Sequence, residues 1–242
     1  MMKASRLEYR FRYVVHGLIY FLGFFAPWER YTGFSLSSST WWLLLASFPA
    51  REHWVSFTAS SQILLILGCI AATLGAWLRV WGAAYLGASV VHAGGMRGDR
   101  ILADGPFRHV RNPLYLGTFL NTLALSLLMP PTGAIITIVL IGVVQIRLVA
   151  AEEAFLLNHL GEPYKRYCAA VPRVIPSLRP RVPPTGARPI YRTGILSEVF
   201  VIGTAVSFIT LGGNFNSTLL LKGVLISFGA SLIAIAFIPK HL

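Results

Sequence analysis

Apolar residues run along this chain in long blocks rather than alternating with polar ones, and short charged or Gly/Pro-rich stretches separate the blocks. Such continuity predicts helices surrounded by lipid or protein. A surface helix shows one apolar stripe, and a half-buried strand alternates with period two. Taken in order, the blocks predict spans at 13–27, 60–86, 114–129, 132–151, 194–212 and 218–238. The piece from Trp41 to Phe48 is too short to cross a bilayer and reads as an interfacial or re-entrant helix with a tryptophan anchor. The block at 60–86 exceeds the roughly 20 residues a bilayer needs, which predicts that it tilts, or projects near Arg79. Pro130-Pro131 cannot continue a helix and predicts a tight hairpin between antiparallel neighbours. From Glu152 to Ala170 the pattern turns amphipathic, with Gly161-Glu-Pro dividing it into two helices. A Pro/Arg-rich linker over 172–192 leads to the last hairpin. The expected architecture is all-α: a polytopic bundle of about six spans, divided into an N-terminal span and interfacial segment (1–58), a core (59–180), and a linker with terminal hairpin (181–242).

Composition supports this class. Hydrophobic residues make up 55% of the chain, charged residues only 12%, and the mean hydropathy is +0.64, which excludes an ordinary soluble domain. The net charge of +12 points away from nucleic acid, because the basic residues cluster at the ends of apolar blocks. Lys3, Arg6, Arg10 and Arg12, the loop at 88–112 and the stretch 147–192 all fall on one side of the six-span arrangement. The opposite side has Arg30 and Arg51, each beside a glutamate. By the positive-inside rule the termini and the basic loops are cytoplasmic. Cys69 and Cys168 form neither a metal-ligand cluster nor a disulfide framework, so no metal is expected.

Chemistry concentrates in Gly105-Pro-Phe-Arg-His-Val-Arg-Asn-Pro-Leu-Tyr-Leu-Gly117, where a basic loop enters an apolar helix. Asn112 followed by Pro113 reads as a helix start with the asparagine as its cap. The positive helix end, flanked by Arg108, His109 and Arg111, suits an anionic ligand. A loop that only fixes topology explains the arginines equally well. Tyr115 lies one turn in, its hydroxyl expected to reach back to the loop, and Gly117 permits a close approach. Arg79 is costly in hydrocarbon and is expected to face the bundle interior or to snorkel to the interface. Gln145, Glu152 and His159 share a stripe by seven-residue spacing. Glu152 and Glu153, beside Arg147 at a membrane exit, are placed to bind a ribose diol or an ammonium group, with a solvated acidic face as the plainer reading. The chain contains no glycine-rich nucleotide fingerprint of the soluble type.

Together, Leu-Gly-Ala-Trp-Leu-Arg79-Val-Trp, the 105–117 motif, Arg147 with Glu152-Glu153, and Leu160-Gly-Glu-Pro-Tyr164-Lys-Arg-Tyr167 ending in Val171-Pro-Arg-Val-Ile-Pro176 resemble the isoprenylcysteine carboxyl methyltransferase and phospholipid methyltransferase group over roughly 60–180. The resemblance implies S-adenosylmethionine held between the motif loop and the helix after the glutamates, in a cytoplasmic pocket, with a lipophilic substrate arriving from the bilayer. Carried over by position, the cofactor contacts are His92, Arg100, Ile101, Leu102, Phe107, Arg111, Asn112, Pro113, Tyr115, Gly117, Glu152 and Glu153. Arg147 would orient an anionic substrate group and Glu152 would serve catalysis. Asn112 stands where many relatives have His, which argues against general-base chemistry there. The implied acceptor is an isoprenylcysteine-like carboxyl or a lipid headgroup, with carboxyl, amine, thiol and hydroxyl all open to the sequence, and the terminal hairpin serves either dimerisation, as in a homodimer, or substrate entry. Two other readings remain: a sterol-type membrane reductase using NADPH, for which the Pro-Asn-Tyr-type motif is missing, and a scaffold or transporter whose basic loops only bind anionic lipid.

Overall fold

The computed structural model describes residues 3–25, 40–87 and 101–237. Among the described residues every regular element is helical: α1 (Arg6–Arg10), α2 (Arg12–Phe25), α3 (Trp41–Arg51), α4 (Phe57–Leu86), a 3-10 turn (Gly105–Arg108), α5 (Pro113–Ser126), α6 (Pro131–Leu160), α7 (Glu162–Ala170), α8 (Tyr191–Ser197), α9 (Val199–Leu211) and α10 (Ser217–Ala236). Three of these, α4, α6 and α10, are long and apolar enough to cross a membrane, and α8 with the helix that follows makes a fourth candidate, bent by 73°. The α2 helix is apolar but shorter. The 14 residues of α5 rise only roughly 21 Å, short of a hydrocarbon core of about 30 Å. The expectation of six spans counts α2 and α5 as crossings; residues 127–129 beyond α5 are not helical, and 26–27 beyond α2 lie outside the described residues.

Helix packing follows from where the small residues fall. On α4, Ile63, Ile66, Leu67, Ile70, Leu74 and Trp77 are exposed along one stripe, while Ala72, Ala76 and Ala83 are buried on the other. Large apolar groups outside and small ones inside is the pattern of a helix bounded by lipid, where close backbone approach replaces the hydrophobic drive between helices. The closest approach is between α4 and α5. A Cβ added at Gly117 would sit 2.6 Å from Arg79 Cγ and 2.7 Å from the Gly75 carbonyl, so neither glycine has room for a side chain. The core continues through Phe208 and Leu220 of the last hairpin, both fully buried.

The bundle has two distinct ends. At one, the α3 helix starts by donating the Trp41 and Trp42 amides to the Met129 and Leu127 carbonyls, at 2.7 and 3.0 Å, and the Trp42 ring meets Phe215 edge-on. The α3 helix therefore caps the bundle end beyond α5, and its 11 residues do not cross. The other end carries the motif. There the Ala4 amide donates to the Arg147 carbonyl at 3.1 Å, and the Ile190 amide to Ala84 at 2.8 Å. The amphipathic stretch expected after Glu152 is not a separate helix. It continues α6 without a break to Leu160, and the division comes at Gly161.

Candidate functional site

The motif loop is shaped by one glycine. Gly105 has φ +52°, and a Cβ there would lie 2.3 Å from the Tyr85 ring, so the turn closes onto α4 only without a side chain. Phe107 is then buried, and its carbonyl accepts the Tyr167 hydroxyl of α7 at 2.7 Å. Ile101 packs against Tyr164, Tyr167 and Val171, and Leu102 is half-buried beside it. Burial raises the Tyr167 pKa, and burial together with Cys168 and Glu153 raises that of Tyr164, so both hydroxyls stay protonated.

Residues 172–187, read from the sequence as a linker, form a strap across this loop. Amide-to-carbonyl bonds of 2.9 Å join Arg111 to Pro172, Ser177 to His109 and Arg181 to Arg108. Side chains add to them, since Arg108 Nε donates to the Val182 carbonyl at 2.9 Å and His109 Nδ1 bonds the Ser177 carbonyl at 2.8 Å. The buried Asp104 carboxylate accepts the Thr185, Gly186 and Ala187 amides at 3.0–3.1 Å and also the Thr185 hydroxyl. Burial raises its pKa, but these four hydrogen bonds outweigh burial and leave it below the ordinary value. Arg108 and His109, expected to flank an anion, are thus committed to the strap.

The adjacent glutamates point to different partners. Glu153, nearly fully buried, accepts Asn112 Nδ2 at 3.1 Å and lies 3.3 Å from Arg111 Nη1 through one oxygen, with Arg173 Nη2 at 2.5 Å on the other. Asn112 does not cap its helix. Its Nδ2 donates to Glu153 and to the Arg173 carbonyl, and no side-chain oxygen of Asn112 accepts from the first-turn amides as a cap would. Glu152 accepts the Tyr115 hydroxyl at 3.0 Å, so that hydroxyl reaches across to α6 rather than back to the loop. Tyr115 leaves the first turn of α5, which begins at the buried Pro113.

A cleft of about 380 Å³ opens beside Glu153, within the size range of small-molecule sites. Ala150, Ala154 and Leu157 of α6, Tyr164, Lys165 and Cys168 of α7, and Arg111, Arg173 and Lys3 line it. Arg111 Nε is buried with no acceptor among the described residues. The arrangement offers a fixed carboxylate, four cationic side chains around it and an apolar wall, suited to a ligand carrying both charges.

The structure therefore brings together Arg111, Asn112 and Glu153 at the cleft and, separately, Tyr115 and Glu152, while Phe107, Pro113 and Gly117 shape the frame. His92 and Arg100 lie outside the described residues. Arg147 is placed apart: its Nη2 contacts both carboxylate oxygens of Glu8, at 2.8 and 2.9 Å. Arg79 faces inward, paired with Glu198 at 2.6 Å. Sequence reasoning missed Lys3, Tyr164 and Arg173 as cleft residues and Glu198 as the partner of Arg79. Two of these carried a signal, Arg173 within Val-Pro-Arg-Val-Ile-Pro and Glu198 as a lone acid in an apolar hairpin.

Comparison with curated proteins and with solved structures finds no match. The phospholipid methyltransferase family matches over residues 63–163, a stretch running from α4 through the motif loop and α5 to the start of α7. That stretch, which carries Tyr115, Glu152, Glu153 and the 105–117 motif, is similar to the phospholipid methyltransferase family.

Proposed function

We propose that this protein transfers a methyl group from S-adenosylmethionine to a lipophilic acceptor held in the membrane, and that the cleft beside Glu153 receives the cofactor. The observation that supports this most is Glu153, fixed by Arg111, Asn112 and Arg173 at the wall of a cleft where Arg111 Nε has no acceptor among the described residues. S-adenosylmethionine carries a carboxylate, an ammonium, a ribose diol and an adenine, and the cleft has counterparts for three of the four. Arg111, Lys3 and Lys165 suit the carboxylate, Glu153 the ammonium or diol, and Tyr164 with Leu157 the flat base.

The cofactor supplies a methyl already activated on a sulfonium. What remains for the chain is to hold the partners in line and keep water out. The strap and α7 close the loop from outside, and the α4–α5 contact fixes the first turn of α5. An acceptor arriving along the lipid-facing helices would meet the cleft at the end of α6. The excess of basic residues at this end supports a cytoplasmic orientation for it. Membrane-impermeant labelling of a cysteine at Arg179 in sealed cells, from outside, would reverse the orientation.

Calorimetry on the purified protein in nanodiscs tests the proposal. S-adenosylmethionine is expected to bind and NADPH is not. Binding of NADPH alone would make the reductase the better reading, and binding of neither would favour a scaffold.

A further inference from the structure

The terminal hairpin lies outside the family match, yet it sends a carboxylate into the core. Glu198 occupies the break between α8 and α9, where the helix pair bends by 73°. Its side chain is buried, and it does not cap α9, although a residue there is placed to do so. Instead both oxygens face Arg79, with Nε at 2.6 Å and Nη2 at 2.9 Å. The remaining Arg79 nitrogen, Nη1, donates to the Thr118 hydroxyl at 2.6 Å and reaches the Leu114 carbonyl at 3.3 Å. Those acceptors flank Tyr115 on the first turns of α5, and the Arg79 stem lies against the site where Gly117 lacks a side chain.

We propose that Glu198 is a positioning residue for the methyl-transfer site. It fixes the Arg79 guanidinium, Arg79 fixes the Leu114–Thr118 turn, and that turn sets the Tyr115 hydroxyl against Glu152. The terminal hairpin is on this account a working part of the transferase rather than an appendage. The effect on cofactor binding rests on the function proposed above; the effect on the α5 turn does not.

Removing the Thr118 hydroxyl leaves the ion pair whole, and this separates a role in positioning the turn from one that only holds the hairpin to the bundle. The experiment uses the full chain in nanodiscs, with Glu198→Gln, Glu198→Asp and Thr118→Val, and with Thr210→Val as a control on an exposed hydroxyl of the same hairpin. Hydrogen exchange of the 114–118 amides and S-adenosylmethionine affinity are measured on each. Faster exchange at 114–118 is expected in Glu198→Gln and Thr118→Val, with affinity and turnover lowered by about tenfold or more as the site loosens. Glu198→Asp should recover part of the loss, and Thr210→Val should match the wild type. Unchanged exchange at 114–118 in Thr118→Val, or in a folded Glu198→Gln, overturns the inference. If Glu198→Gln does not fold, Thr118→Val decides, because it leaves the ion pair whole. Failure of the wild type to bind S-adenosylmethionine counts against the proposed function, and the exchange data still decide the positioning role.

Discussion

Glu153 is the residue on which the cleft depends. A neutral amide in its place would leave Arg111 and Arg173 facing a weaker acceptor, and hydrogen bonds to charged groups are worth about 1.5–3 kcal/mol each. Glu153→Gln is therefore expected to lower S-adenosylmethionine affinity by about tenfold or more, read by calorimetry on folded protein. Unaltered affinity would remove it from the site. Arg147 separates two roles more sharply. Its single nitrogen on the Glu8 carboxylate asks for one cation, which lysine also supplies, whereas a planar clamp on a substrate anion does not survive that change. Arg147→Lys is expected to keep turnover within about threefold, since a half-exposed ion pair is worth only ~0–1 kcal/mol. A tenfold loss would restore Arg147 to the substrate. The sequence singled out Glu152, Glu153, Tyr115 and Arg111, because acids and bases clustered at a membrane exit are rare and costly. It could not show which partner each takes. Glu8 lies 139 positions from Arg147, and Asn112 looks like a helix cap until Glu153 is placed beside it.

At the scale of elements, the contact between α4 and α5 sets the geometry of the motif helix. Gly117→Val puts branched carbon where Arg79 and the Gly75 carbonyl already lie, and overpacking of this kind costs about 1–3 kcal/mol. The variant is expected to unfold at lower denaturant and to bind cofactor less well, whereas a valine at Gly213, with open space around it, should do neither. The strap makes a pH-dependent prediction through Asp104. Its folded pKa lies below the ordinary 3.8, so its contribution is complete above that value and is lost as pH falls through the lower folded one. Protection of the Thr185, Gly186 and Ala187 amides should hold from about pH 5 to 8 and fail only in stronger acid, while Asp104→Asn should lose it at neutral pH. Constant protection in that variant would mean that the backbone bonds alone hold the strap. Hydropathy located α4, α6 and α10 because long apolar runs have few other uses. It marked 172–187 as irregular, but Pro and Arg do not say where such structure docks. The break at Glu198 escaped for a similar reason: a single acid between two apolar runs does not show the bend it sits on.

For the whole molecule, the lipid-facing stripe of α4, the small-residue seam behind it and the basic motif end make one arrangement: a membrane bundle whose polar cleft sits at one mouth. Apolarity marked α2 and α5 as spans, but it measures how a segment partitions and not how far its helix extends, and each of the two described helices has 14 residues. The family match covers the bundle's central helices, and the N-terminal residues, the strap and the terminal hairpin complete the site around them. The central claim is that methyl groups pass from S-adenosylmethionine to a lipophilic acceptor. Its most direct test is mass spectrometry of the lipids recovered after purified protein, in nanodiscs made from a total membrane lipid extract, is incubated with methyl-labelled S-adenosylmethionine. Label is expected in a lipid-soluble product with the wild type and reduced about tenfold or more with Glu153→Gln. Label confined to the aqueous phase in both, from a folded protein given its native lipids, would contradict the account.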